Sequence, residues 1–241
     1  MKKLNAYLIL FLLLGPWSNP LSAQRDTLVE LGKNFLFEDG IYLSFESFRT
    51  NRPDFTWKEL SADVYTNPQT FLTQLGRVNV RDSAGFSIHP DSLWGLSLGG
   101  IPYVRLAHRP FNKPMSVFAG LQLRGNICYF SFEDESVRKI PMPVYNPLTG
   151  KPYKVGFVER VQKLIYEKLM RFEDGSIVDF TLENFKEWIK DDEKLLNTVN
   201  DFTQQEVIDK LFKCLLIYDD RNIVKIRTTI EEPSKKRSSR Q

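Results

Sequence analysis

The sequence predicts an α+β protein in which an antiparallel β meander or partial barrel is followed by two or three C-terminal helices. Short apolar–polar alternations separated by turn residues recur from residue 34 to 132, as in antiparallel sheets. After residue 180 the hydrophobic period changes to that of helices. Phenylalanine, with 18 copies, supplies much of a packed core. We expect one domain over residues 24–230, with its sheet within 34–180 and its helices within 181–220.

Residues 1–23 have the three-part pattern of a secretory signal peptide. Lys2 and Lys3 precede an apolar run from Ala6 to Leu14, and small residues near Ala23 suit cleavage. The run is about nine residues long, too short for the roughly 20 that cross a bilayer as a helix. We expect an exported protein, periplasmic or extracellular, with no membrane span in the mature chain.

Three turn signals divide the predicted sheet. Asp39-Gly40, residues 82–85 and Gly125-Asn126 each lie between segments of alternating apolar residues, which is typical of hairpins. After the first turn, Ser44 can cap a short helix that ends before Pro53. These signals predict a meander of five or more strands.

The next part of the chain is harder to assign. Residues 133–154 contain four prolines within "PMPVYNPLTGKPYK" and are interpreted as a long surface connection. Residues 158–172 fit both a helix and a strand by periodicity. Asp174-Gly175 predicts a hairpin and favours a strand at least for residues 168–172.

Two or three C-terminal helices are predicted. Thr181 can cap the first, "DDEKLLNTVNDF" forms the second, and Thr203 can cap the third, which has an apolar stripe from Val207 to Tyr218. Residues 231–241, "EEPSKKRSSRQ", are polar and basic and are expected to be a disordered tail.

Charge and cysteine content exclude some functions. Without Lys2 and Lys3, 31 basic residues face 30 acidic ones, so nucleic-acid binding is not expected. Cys128 and Cys214 both lie on apolar faces. They are interpreted as two buried thiols or, since an exported chain meets an oxidising compartment, as a possible disulfide.

Ser97 lies in a G-x-S-x-G pattern, Gly95 to Gly99, which marks the nucleophile turn of many esterases. That turn needs a helix after the serine, whereas "GIPYVRL" predicts an extended segment. His108 is the single later histidine, and no acid separates it from Ser97. We therefore expect a hairpin through Gly99-Gly100 and no catalytic serine.

Histidines, aromatic residues and carboxylates are considered as further site residues. His89 and His108 are the only histidines and lack metal-ligand spacing, so no metal or other cofactor is expected. Trp94, Tyr103 and Arg105 would share one face of the hairpin and form a candidate ligand-binding platform, or pack against each other across the strands. Two distant carboxylates could still converge in a cleft.

Three segments carry a family resemblance: "DGIYLSFESFRTNRP", "SLWGLSLGGIPYVRL" and "FEDGSIVDFTLENFKEWIKDDEKL". With them the chain resembles a group of uncharacterised exported proteins of Bacteroidota-type bacteria over most of its length. It departs from that group at Gly99-Gly100, where a charged turn is usual. The resemblance implies export and brings no activity, cofactor or catalytic residue.

Two function hypotheses follow. The first is a non-enzymatic exported protein that binds an envelope protein or a glycan. The alternative is an envelope or extracellular hydrolase that cleaves glycans through two carboxylates. They differ in whether two acidic side chains meet in a concave pocket.

Overall fold

The computed structural model describes residues 25–81, 86–110 and 113–230. Residues 28–228 form one compact unit. The predicted signal peptide and the predicted tail lie outside the described residues. Within the described ranges, no helix has both the length and the apolar character needed to cross a membrane.

An eight-stranded antiparallel sheet forms a nearly closed partial barrel, which confirms the sheet-dominated α+β class. Its strands are β2 (Gly40–Tyr42), β3 (Phe55–Thr56), β4 (Leu60–Asn67), β5 (Leu72–Val80), β6 (Ser87–Ile88), β7 (Gly95–Leu98), β8 (Ile101–Arg105) and β9 (Ser116–Gly120). The order is β3-β2-β7-β8-β9-β5-β4, and β6 pairs with the end of β5. β1 (Arg25–Glu30) pairs with β13 (Lys225–Ile230) in a separate two-stranded sheet.

The strand order shows that a simple meander is wrong. β2 pairs with β7, and β9 returns to pair with β5. The predicted hairpin at Asp39-Gly40 is also wrong, because the segment just before Gly40 is not a strand. The Asp39 carboxylate is instead an acceptor for the distant 97–100 turn, which brings β2 beside β7. The predicted pairing around residues 82–85 is confirmed by Val78 opposite Ile88.

A second sheet contains β10 (Ile127–Tyr145), β11 (Pro152–Arg171) and β12 (Ile177–Asp179) in that order. The surface connection predicted for residues 133–154 is wrong, since most of it belongs to a hairpin of two very long strands. The ambiguous 158–172 segment is a strand up to Arg171, and the Asp174-Gly175 turn leads into β12 as predicted.

The prolines of β10 fit its hydrogen-bond pattern. The Phe172 N–H donates to the Asn126 carbonyl at 2.9 Å, and the register then runs unbroken from Ile127 to Val144. Antiparallel strands exchange hydrogen bonds at every second residue, so even-numbered residues of β10 bond to β11. Pro141 and Pro143 are odd-numbered. Each stands where an amide would point away from β11, and neither interrupts the ladder.

Four α-helices and one short 3-10 helix (Pro90–Ser92) complete the described part of the chain. The α-helices are α1 (Phe45–Arg49), α2 (Leu182–Trp188), α3 (Glu193–Asn200) and α4 (Gln204–Arg221). The predicted caps are confirmed at Ser44, Thr181 and Thr203, each of which accepts a first-turn backbone N–H. The three C-terminal helices are therefore specified largely by local sequence.

The base of β10 separates two hydrophobic cores. Cys128 and Phe130 face a core shared with the partial barrel. Ile127 and Tyr129 face a core shared with α2, α3 and α4. Alternate side chains of a strand point to opposite sides, so this segment is buried on both faces. A third cluster lies within the eight-stranded sheet.

Candidate functional site

A two-stranded ribbon, residues 133–165, is the most unusual surface of the protein. It begins where the stacked rings of Phe132 and Tyr166 end the core, and it continues to the turn at residues 146–151. At about 3.3 Å per residue its strands are roughly 40 Å long. In the part of the chain that the structure describes, no third strand pairs with the ribbon.

Apolar side chains cover the ribbon. Ten large ones are between 49% and 93% exposed: Val137, Met142, Tyr145, Leu148, Tyr153, Val155, Phe157, Val158, Val161 and Ile165. An isolated hairpin is marginally stable in water, and extended exposed apolar surface usually marks an interaction site. The ribbon therefore has the composition of a surface that another molecule covers.

Cross-strand pairing collects much of this apolar surface on one face. Val137 lies opposite Val161, Pro141 opposite Phe157, and Pro143 opposite Val155. Between them, the Lys139 ammonium lies 3.7 Å from the Glu159 carboxylate. From Val137 to Pro143 this face is an apolar stripe interrupted by one opposite-charge pair, and Glu135 opposite Lys163 forms a second such pair nearer the base.

Two signals in the sequence indicate the ribbon, although the prolines of this segment predict a surface connection. Val155, Phe157, Val161 and Ile165 all have odd numbers, as on one face of a strand, and charged residues at 159 and 163 interrupt that row. The two-residue spacing of Pro141 and Pro143 fits one edge of a strand. Turn preferences alone make these prolines predict a loop. They are compatible with a strand once their positions are considered, because both fall where the amide would point away from the partner strand.

Ser97 is a buried structural residue. Its hydroxyl donates to Asp39 Oδ1 at 3.2 Å, and the same carboxylate accepts the N–H groups of Gly99 and Gly100 at 3.1 and 2.8 Å. The pairing of β7 with β8 is the one predicted, with Ser97 opposite Pro102. On the other side of β8, the Leu121 N–H donates to the Pro102 carbonyl at 2.9 Å.

The Gly99-Gly100 turn adopts positive φ at both residues, +60° and +75°. Such angles strain residues that carry a Cβ. The two positions differ in the room available for a side chain. A Cβ on Gly99 would meet nothing within 4 Å, whereas a Cβ on Gly100 would lie 2.8 Å from Leu36 Cδ2. The doublet is thus required by turn geometry at both positions and by packing at one.

Trp94, Tyr103 and Arg105 form no shared exposed platform. Trp94 packs on Phe48, with ring centroids 4.4 Å apart, on the core of the partial barrel. Tyr103 is only 3% exposed and lies in a different cluster. The Arg105 Nε donates to the Leu93 carbonyl at 2.9 Å. The bend before β7 separates Trp94 from Tyr103, so the shared face expected from alternation is wrong.

Cys128 and Cys214 are free thiols, and each is buried in a different core. The possible disulfide is not present. Burial raises the pKa of the Cys128 thiol to about 12, and burial also raises the pKa of Cys214. Neither thiol is therefore a ready nucleophile at neutral pH.

Two carboxylates line a small cavity beside the C-terminal helices. The cavity is about 280 Å³, and Glu173 and Asp191 are both on its wall. The Tyr218 hydroxyl lies 3.0 Å from each Asp191 oxygen. The Arg171 guanidinium lies 4.8 Å from the Trp188 ring centroid and covers one face of that indole. Glu173 and Asp191 thus line the same cavity.

The histidines do not complete a catalytic set. His89 Nδ1 accepts the backbone N–H of Asp91 at 3.2 Å, and His108 Nε2 lies 3.2 Å from Asp134 Oδ2. The Ser116 hydroxyl donates to Asp91, whose pKa is lowered chiefly by that hydrogen bond. No group of three His, Cys, Asp or Glu side chains within the described ranges is arranged to hold a metal ion.

Comparison with known proteins gives no match: no family model, no curated protein and no solved structure is similar to this chain. The resemblance to exported proteins of Bacteroidota-type bacteria stays a prediction.

Proposed function

We propose that the protein is a non-enzymatic binding protein, exported to the cell envelope or secreted, that engages a macromolecular partner through the ribbon. The observation that carries the proposal is the exposure of ten large apolar side chains on a two-stranded extension that has no core of its own. Burying such surface is favourable by about 25 cal/mol per Å² of apolar area. A long apolar arm of this kind suits recognition of an extended protein segment better than binding of a small molecule.

The partial barrel supports the ribbon. The ribbon strands continue into a base that is buried on both sides between two cores, where Phe130 and Leu169 are at most 1% exposed. The long strands are therefore anchored at one end by the whole domain. This anchoring fixes the direction of the exposed arm and reduces the ordering cost of binding.

The proposal is tested by capture from the native envelope with wild-type protein and two variants. Phe157→Lys places a charge on the apolar stripe, at a side chain that is 68% exposed. Ile208→Lys is the matched control, because Ile208 is 77% exposed but lies on α4. We expect a specific captured protein with wild type and with the control, and its loss with Phe157→Lys. Equal capture by all three, or by none, contradicts the proposal.

A second candidate function is glycan hydrolysis by Glu173 and Asp191. It is favoured by their common cavity and by the neighbouring Trp188, but the cavity is near the small end for ligand sites and Asp191 already binds Tyr218. Hydrolysis of a polysaccharide panel by wild type, with loss in folded Glu173→Gln and Asp191→Asn, would support it. Activity that survives both substitutions would contradict it.

A further inference from the structure

We propose that the partner of the ribbon is a second copy of this chain, joined edge to edge through β11 into one continuous sheet. This inference rests on the proposed function, because it names the molecule that the ribbon binds. Three features of the described residues support it: the asymmetry of the two ribbon edges, the pattern of apolar residues, and the pattern of charge along β11.

The two ribbon edges differ in their capacity for pairing. On β10, Pro141 and Pro143 remove two of the amides that would point outward, which blocks strand addition there. On β11, residues 153–166 contain no proline, and the odd-numbered residues present N–H and C=O groups outward. β12 pairs with this edge from Lys168 onward, and the Phe180 N–H also donates to the Glu167 carbonyl at 2.9 Å. The free edge of β11 is thus the one available to a further strand.

The segment "FVERVQKLI", residues 157–165, is complementary to itself when it runs antiparallel about Val161. Glu159 then lies opposite Lys163 of the second copy, and Phe157 lies opposite Ile165 of the second copy. Val158 faces Leu164 on the other side of the sheet. Opposite charges and paired apolar residues are the cross-strand contacts that stabilise antiparallel sheets.

Neighbouring registers lack this complementarity. An axis at Arg160 places Phe157 against Lys163, and an axis at Gln162 places Glu159 against Ile165. The outward backbone groups of β11 belong to odd-numbered residues, so odd residues of one copy must pair with odd residues of the other. All three registers satisfy this condition. The match between opposing side chains therefore decides between them. A two-fold axis through Val161 also makes the contact self-limiting, because both copies use the same edge.

The dimer also extends the electrostatic pattern already present in the ribbon. Lys139 lies beside Glu159 across the β10–β11 pair, and Lys163 of the second copy would approach Glu159 from the other side. The result is an alternating Lys–Glu–Lys ladder flanked by apolar pairs. Like charges do not meet within residues 157–165 in this register.

The first test is sedimentation velocity over a concentration series of the chain purified as the cell produces it. We expect a monomer–dimer equilibrium for the wild type. Val161→Pro removes an outward amide of β11 and leaves the ladder with β10 intact. Because both copies lose a hydrogen bond, dissociation should become roughly 30-fold easier. Val137→Pro, at the paired position on β10, is the matched control and should leave the dimer unchanged.

The second test addresses the register. Lys163→Glu places two acidic residues opposite each other at both ends of the contact and should weaken the dimer by roughly tenfold. Because Glu135 and Lys139 of β10 lie opposite Lys163 and Glu159, the restoring variant reverses all four charges: Glu135→Lys, Lys139→Glu, Glu159→Lys and Lys163→Glu. It re-forms the opposite-charge pairs within each copy and between the copies, and should restore the dimer. If circular dichroism shows that Val161→Pro is unfolded, this charge pair alone decides the outcome.

A dimer that is insensitive to Val161→Pro and Lys163→Glu would overturn the inference, as would a wild-type chain that stays monomeric. A monomer whose ribbon still captures another protein in the Phe157-dependent manner would leave the proposed function standing and refute only self-association. A monomer that captures nothing would refute both.

Discussion

Asp219 provides the sharpest stability prediction. Its carboxyl lies on α4 against the turn between β9 and β10, where Oδ1 accepts the Ile127 N–H at 2.9 Å. Its Oδ2 is buried without a hydrogen-bond partner, and a Cβ on Gly125 would overlap that oxygen. Burial raises the pKa of Asp219 from 3.8 to about 7, against the opposing effect of two backbone N–H groups.

The magnitude follows from the pKa difference. In the folded protein the Asp219 carboxyl keeps its proton up to about pH 7, whereas in the unfolded chain it loses the proton near pH 3.8. The folded state therefore binds more protons between these values, and the free energy of unfolding falls as the pH rises through this window. Each pKa unit corresponds to about 1.36 kcal/mol, so the full loss is at most about 4 kcal/mol.

The substitution Asp219→Asn tests this reasoning because it preserves shape and the Oδ1 acceptor but cannot ionise. We expect the variant to match wild type near pH 4 and to exceed it by up to about 4 kcal/mol at about pH 8.5. Urea denaturation at each pH measures the free energy of unfolding of both proteins. Taking the difference between variant and wild type removes the contribution of the other titrating groups, which the two proteins share. Asp220→Asn, an exposed neighbour, is the control. A wild-type-to-variant difference that does not change with pH would refute the assignment.

The remaining predictions concern the tight turn and the thiols. Gly100→Ala should destabilise more than Gly99→Ala, since both strain a positive φ but only the former meets a neighbouring side chain; thermal melts that rank them equally would contradict this. Asp39→Ala should lower the free energy of unfolding by about 2–4 kcal/mol, measured in urea, because three donors lose their acceptor. Cys128 and Cys214 should react with Ellman's reagent only after unfolding, and prompt reaction in the native state would show that they are not buried.

Local features were the most predictable. Thr181 and Thr203 cap helices because a short hydroxyl side chain satisfies first-turn N–H groups wherever the chain turns into a helix. The Gly99-Gly100 hairpin follows from the positive φ that only glycine adopts without strain. These effects act within a few residues, so neither requires knowledge of the rest of the fold.

Long-range pairing was not predictable. The pairing of β2 with β7 depends on the Asp39 carboxylate, which bonds to backbone groups about 60 positions later in the chain. Backbone hydrogen bonds carry no residue identity, so the sequence of β2 does not specify its neighbours. The exposure of the ribbon was not predictable for a related reason. Apolar residues at odd positions in residues 155–165 indicate a strand, but they do not tell whether another layer of the protein covers that strand.

By itself the sequence determined the positions of the C-terminal helices, the tight turn and the strand that follows this turn, because these depend on capping, φ angles and the residue types present. Only the tertiary structure decided which strands are neighbours, that Trp94 and Tyr103 lie in different cores, and that the long ribbon extends beyond them. Burial and the resulting pKa of Asp219 are properties of what packs around a side chain. That surrounding is set by contacts between segments far apart in the chain, whose pairing the local pattern leaves open.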